Sequence, residues 1–181
     1  MATPPDFSSG AVLTAAQMDS VGLWLVKTQT VGTAVSSVTV TGAFSADYDN
    51  YRIVYDGGTA STDVALAVQL GSTVTDYHYS IVFNQYNATT PLGAGATNTT
   101  AFLNAGRTST VRNNLSVDLF GPNIASYTGA RYASTDYLAT NGFMITGAGM
   151  LNNTTSYTAF TLLPASGTIT GGTIRVYGYR N

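Results

Sequence analysis

The sequence predicts an all-β protein: an antiparallel two-sheet sandwich, jelly-roll-like, led by one short helix. Three observations predict it. Charged residues make up only 9% of the chain, against a usual ~25%, with a single lysine and no glutamate. The side chains on which helices usually carry their solvent face are therefore nearly missing. Thr, Val and Tyr take their place, and these suit a pleated sheet. Finally, short runs of alternating apolar and polar residues recur between Gly, Asn, Asp and Pro turns, which gives about eight to ten short strands.

The first element is the helix. In "FSSGAVLTAAQMDSVGLWLV" (Phe7 to Val26), Thr14 and Gln17 have the spacing of a capping box, with Leu13 and Met18 placed as a hydrophobic staple. Gly22 suits the left-handed residue that ends a helix. Two turns, Ala15 to Val21, are too few to be stable alone in water, so this helix is expected to dock on something.

From Leu23 the period changes to two. "LWLVKTQTV" and "SVTVTGAF" read as the first two strands, and "YRIVYDGG" (Tyr51 to Gly58) as a strand closing on a turn signal. "DVALAVQLG" (Asp63 to Gly71) is expected beside it in the same antiparallel sheet. "HYSIVFNQY" puts His78, Ser80 and Val82 on one face and Tyr79, Ile81 and Phe83 on the other. "NATTPLGAGATNTT" (Asn87 to Thr100) reads as a long loop. "LSVDLF" sends Leu115, Val117 and Leu119 inward, and "GFMITGAGM", "YTAFTLLP" and "GTIRVYGYR" complete the strands.

Composition also excludes functions. A net charge of −2 provides neither a basic footprint for nucleic acid nor a polybasic segment for an anionic membrane. Without cysteine there is no disulfide framework, thiolate metal site or cysteine nucleophile. "MATPPDFSSG" lacks the charged and apolar regions of a secretory signal, and no apolar run reaches the ~18 residues of a membrane span. The chain is expected to be made in a cytoplasm, without membrane insertion.

Chemistry-bearing constellations are sparse. One histidine, His78, stands in a strand pattern without a Gly-x-Ser-x-Gly elbow. All nine acidic residues are aspartates, and those at Asp47, Asp49 and Asp56 read as turn residues rather than as the paired carboxylates of a glycosidase. "DYDN" (Asp47 to Asn50) lacks the glycine and distal glutamate of an EF-hand loop, and the glycines of "PLGAGATN" lack the strand-to-helix setting of a phosphate cradle. No catalytic residue, metal or cofactor is expected. Tyr86, Tyr127, Tyr132 and Tyr137 lie in or beside loop-like segments and are the candidates for contact with a ligand, because tyrosine gives a large contact area at low entropic cost.

Three segments, "PDFSSGAVLTAAQMDSVGLWLVKTQTVGTAVSSVTV", "AFSADYDNYRIVYDG" and "GTITGGTIRVYGYRN", together resemble small structural proteins of tailed bacteriophages: tail-fibre-like, minor tail or capsid accessory proteins. The resemblance implies a virion component with a β-sandwich, usually trimeric, fixed to the particle by its N-terminal segment, and not an enzyme. Neither heptads nor collagen-like repeats are present to form a fibre shaft. The expectation is thus an N-terminal anchoring segment, residues 1–31, and a sandwich domain, residues 32–181. Anchoring is assigned to Val12, Leu13, Met18, Val21, Leu23 and Trp24, and the loops of 84–112 and 121–142 project outward. The expected partners are further copies in a homotrimer and other virion proteins of capsid or tail, with a host surface glycan as the alternative.

Overall fold

The computed structural model describes residues 22–136 and 142–179. They fold into an all-β, sandwich-like arrangement in which every strand pair is antiparallel. The expected helix at Ala15–Val21 lies outside the described residues, with Val12, Leu13, Met18 and Val21, and so does Tyr137. No helix among the described residues is long and apolar enough to cross a membrane.

The larger sheet has eight strands. In spatial order these are β1 (Leu23–Thr30), β14 (Thr173–Tyr179), β3 (Asn50–Asp56), β9 (Asn114–Phe120), β10 (Thr128–Thr135), β11 (Phe143–Leu151), β6 (Tyr77–Gln85) and β7 (Leu92–Thr99). The smaller sheet runs β2 (Val38–Val40), β12 (Phe160–Pro164), β5 (Ala65–Leu70) and β8 (Phe102–Arg107). A two-residue pair, β4 (Thr59–Ala60) with β13 (Ile169–Thr170), stands apart. Among the described residues there are fourteen strands rather than eight to ten: β4 and β13 are too short to show a period, and β7, β8 and β10 fall outside the runs read as strands from the sequence.

Alternation decides which face each strand buries. Tyr51, Ile53 and Tyr55 of β3, Leu115, Val117 and Leu119 of β9, and Ile174 and Val176 of β14 all point into the core, as a period of two requires. Phe102 and Phe160 meet them from the smaller sheet. Aromatic pairs tie the layers together: Tyr77 stands edge-on to Phe102 at 4.9 Å, and Phe44 contacts both Tyr51 (4.9 Å) and Phe160 (5.8 Å). The Tyr77 hydroxyl accepts a hydrogen bond from the Leu70 amide (2.8 Å), so a buried phenol is satisfied by the opposite sheet.

Two expectations are corrected. Tyr51–Gly58 and Asp63–Gly71 are not neighbours: β3 pairs with β14 and β9, while β5 pairs with β12 and β8 in the other sheet. Gly57 and Gly58 both have positive φ, +83° and +66°. The chain leaves β3 there for the short β4, whose partner is β13. A Cβ on Gly58 would strike the Gly171 carbonyl, so glycine is required where these two backbone segments meet. The expected loop Asn87–Thr100 is also largely strand, since β7 pairs with β6 over Leu92–Thr99. Its Gly-Ala alternation has no large apolar residue after Leu92 because β7 is an edge strand that the smaller sheet does not cover.

β1 falls within the expected anchoring segment, residues 1–31, yet it is hydrogen-bonded along β14 and forms one edge of the large sheet. The sandwich begins by Leu23. Gly22, just before it, has φ +54°.

Candidate functional site: the outward face of the large sheet

The smaller sheet packs on the inner face of the eight-stranded sheet, β7 excepted, and among the described residues no strand packs on the outer face. The register of the strands aligns its side chains in rows across the sheet. The central row reads Leu25, Tyr177, Arg52, Asp118, Arg131, Ala148, Ser80 and Gly95. Adjacent strands lie ~4.8 Å apart, so three arginine and aspartate residues sit side by side near the middle of the molecule.

Asp118 binds Arg52 through a two-point pair, Nε to Oδ1 at 2.7 Å and Nη2 to Oδ2 at 2.9 Å. The Tyr179 hydroxyl donates to the same Oδ1 at 2.6 Å, and the Arg52 guanidinium lies 5.8 Å from the Tyr179 ring centroid. These contacts set the protonation states. The Arg52 hydrogen bonds hold the Asp118 carboxyl below the usual carboxylate range, with the Tyr179 hydrogen bond and the Arg52 and Arg131 charges adding to the effect and partial burial opposing it. Partial burial and the neighbouring carboxylate raise the Tyr179 phenol.

Arg131 differs from Arg52. It is exposed and faces Asp118 in register, whose carboxylate bonds Arg52 and Tyr179 instead. No hydrogen bond to its guanidinium is found among the described residues. Around it lie Ser116, Ala133 and Thr146, which leave a hollow of about 310 Å³ bounded by Arg52 and Asp118. Small outward residues on β10 and β11 create this hollow.

One end of the same face is apolar. Its last row runs Leu23, Tyr179, Asn50, Phe120, Gly129, Met150 and His78. Leu23, Phe120 and Met150 there are exposed, as are Ile124 and Tyr127 in the connection between β9 and β10. Leu25 is 55% exposed one row in.

The expected anchoring residues within the described chain, Leu23 and Trp24, are consecutive on β1 and so face opposite sides. Leu23 lies on the outer face, 41% exposed. Trp24 faces inward, and its buried indole N–H has no hydrogen-bond partner among the described residues.

The expected ligand tyrosines do not come together. Tyr127 is 60% exposed at the start of β10. Tyr86 follows β6 at the other end of the sheet, roughly 25 Å away by strand rise. Its hydroxyl donates to the Asp136 carbonyl (2.6 Å) and its amide to the Gly142 carbonyl (3.0 Å), so it clamps the two flanks of residues 137–141. Tyr132 is corrected outright: it is 3% exposed, inside the sandwich, with its hydroxyl on the Ala148 carbonyl. As part of the strand "TGARYAST", it falls on the inward phase of the alternation, and burial pushes its phenol up.

Sequence reading also missed the aspartates that do not serve turns. Asp136 is fully buried in its side chain and accepts Arg107 Nε at 2.9 Å and the Phe143 amide. Asp56 pairs with Arg112 at 2.7 Å, whereas Asp47 does bond locally, to Ser45. His78 is half-buried on the outward face of β6. Among the described residues no three of His, Cys, Asp and Glu approach closely enough to hold a metal ion.

No protein-family model matches the chain, and no curated protein matches it.

Proposed function

We propose that this chain is a non-catalytic structural subunit of a tailed-phage virion, made in the bacterial cytoplasm and assembled as a homotrimer. In this reading the sandwich is jelly-roll-like and is led by the short helix at Ala15–Val21. The subunit docks on capsid or tail as a decoration protein or a fibre-like appendage. The observation that carries the reading is the end of the outer sheet face at which Leu23, Phe120, Ile124, Tyr127 and Met150 are each exposed. The N-terminal segment joins the sheet at that same end, through Gly22. Several large apolar side chains exposed at one end of a sheet favour an interaction site, and covering them contributes roughly 25 cal/mol per Å² before the cost of association. The resemblance of the two chain ends to phage structural proteins supplies the particle. Low charge agrees with close packing of identical copies, which strongly charged surfaces resist.

Gold-labelled antibody against the chain, applied to purified particles of the phage that carries the gene, tests this directly. Label at fixed positions on head or tail is expected. Particles that assemble and infect without the protein in them would contradict the proposal.

The polar hollow at Arg131 favours a second reading, a receptor-binding module for a host surface glycan. There the outward face, and not the loop tyrosines, would meet the ligand.

A further inference from the structure

From the geometry of the central row we infer a binding site for an acidic saccharide on the outward sheet face, in which Arg131 receives the sugar carboxylate. The inference rests on the glycan reading and adds the chemical class of ligand and the residue that selects it.

The argument starts from unspent hydrogen-bonding capacity. A guanidinium presents five N–H donors in a planar fork that matches a carboxylate. Arg52 uses its fork on Asp118. Arg131 stands one strand further on with none of its donors engaged among the described residues, and its neighbours along the row and the strand, Ala148, Gly129 and Ala133, are too small to cover it. The outward face also carries Arg52, Arg131 and Arg175 against Asp118 and Asp56, so it is locally positive on a chain whose net charge is −2. This excess of one positive charge favours an anionic group on this face.

The companions of Arg131 decide which anion. Asp118 lies beside it as a carboxylate, and its charge opposes close approach of a doubly charged sulfate or phosphate. The same carboxylate welcomes hydroxyl groups: Oδ2 accepts only the Arg52 bond among the described residues, so it keeps a lone-pair site. Ser116 and Thr146 line the hollow with hydroxyls that donate or accept. One positive fork flanked by an acceptor carboxylate and two hydroxyls complements a singly charged carboxylate attached to a ring of hydroxyls. Uronic and sialic acids have this chemistry. The row continues from Arg131 over Ala148, Ser80 and Gly95, a flat small-residue track across which further sugar units can lie.

The test is a glycan array holding uronic-acid and sialic-acid oligosaccharides beside their neutral counterparts, probed with the full chain and followed by titration of the best acidic oligosaccharide. Saturable binding is expected for acidic members, weakening with salt, at least tenfold tighter than for the neutral counterpart. Arg131→Ala should reduce it at least tenfold with an unchanged thermal melt, as the side chain is exposed, and Arg131→Lys should retain part of it by keeping the charge without the fork. Equal affinity for acidic and neutral saccharides would overturn the carboxylate assignment while leaving the glycan reading standing. Absence of binding to every saccharide would overturn both. Wild-type affinity in Arg131→Ala, or equally tight binding of sodium sulfate in a competition arm, would also overturn the inference.

Discussion

Arg107 and Asp136 show how much a single residue can hold in a chain with so few charges. Asp136 is buried, bound by the Arg107 guanidinium and the Phe143 amide, and Arg107 lies 4.4 Å from the Phe143 ring centroid. Removing one partner of a buried pair leaves the other charge uncompensated. Arg107→Ala should therefore lower unfolding stability by about 3–5 kcal/mol, read from the urea midpoint. Asp118 answers to pH. Its pKa is depressed in the folded protein, so its stabilising contribution is full above the unfolded-chain value of ~3.9 and is lost as pH falls through the lower folded value. Between pH ~5 and ~2 the wild type should lose more stability than Asp118→Asn, by less than ~1 kcal/mol because the pair is partly exposed. Parallel urea midpoints across that range check it. Neither pair was legible in the sequence: each aspartate was visible, but its arginine is 29 or 66 residues away in the chain, and only strand register brings them together.

Elements were more legible where one face is buried. The inward phase of "LSVDLF" follows from alternation alone, and the structure buries Leu115, Val117 and Leu119; in "HYSIVFNQY" alternation gives the two faces, and the structure puts Tyr79, Ile81 and Phe83 on the core side. Pairing was less legible, because nothing local to Tyr51–Gly58 says that its neighbours lie near residues 117 and 176. β7 escaped notice for a different reason, as an edge strand of glycine and alanine needs no apolar stripe. The two edges of the large sheet also differ in a way that bears on assembly. β1 carries Lys27, the only lysine of the chain, in mid-strand, and lysine on an edge discourages addition of a further strand. Leu23 and Leu25 nevertheless present apolar surface on the outer face of that same strand. In the proposed assembly this combination favours contact through the sheet face at β1 over edge pairing.

At the scale of the whole molecule, the fold class was legible because composition constrains it globally: a chain nearly free of Lys and Glu has little with which to solvate helices. The outward face was not legible, since a surface made of eight strands exists only after pairing. Seven inter-strand gaps of ~4.8 Å and outward rows ~6.7 Å apart make it roughly 700 Å², close to the ~800 Å² that each partner contributes to a standard interface. The whole face is thus about the size of one partner's share of a standard interface, and the apolar end and the Arg131 hollow each occupy only a part of it. The proposed self-assembly through this end is tested by sedimentation equilibrium of the full chain beside a Leu23→Asp/Leu25→Asp variant. The wild type should sediment at three times the chain mass of 18.8 kDa, and the variant should be folded and sediment as a single chain. A wild type that remains at the single-chain mass up to its solubility limit, or a variant that is still trimeric, would contradict it.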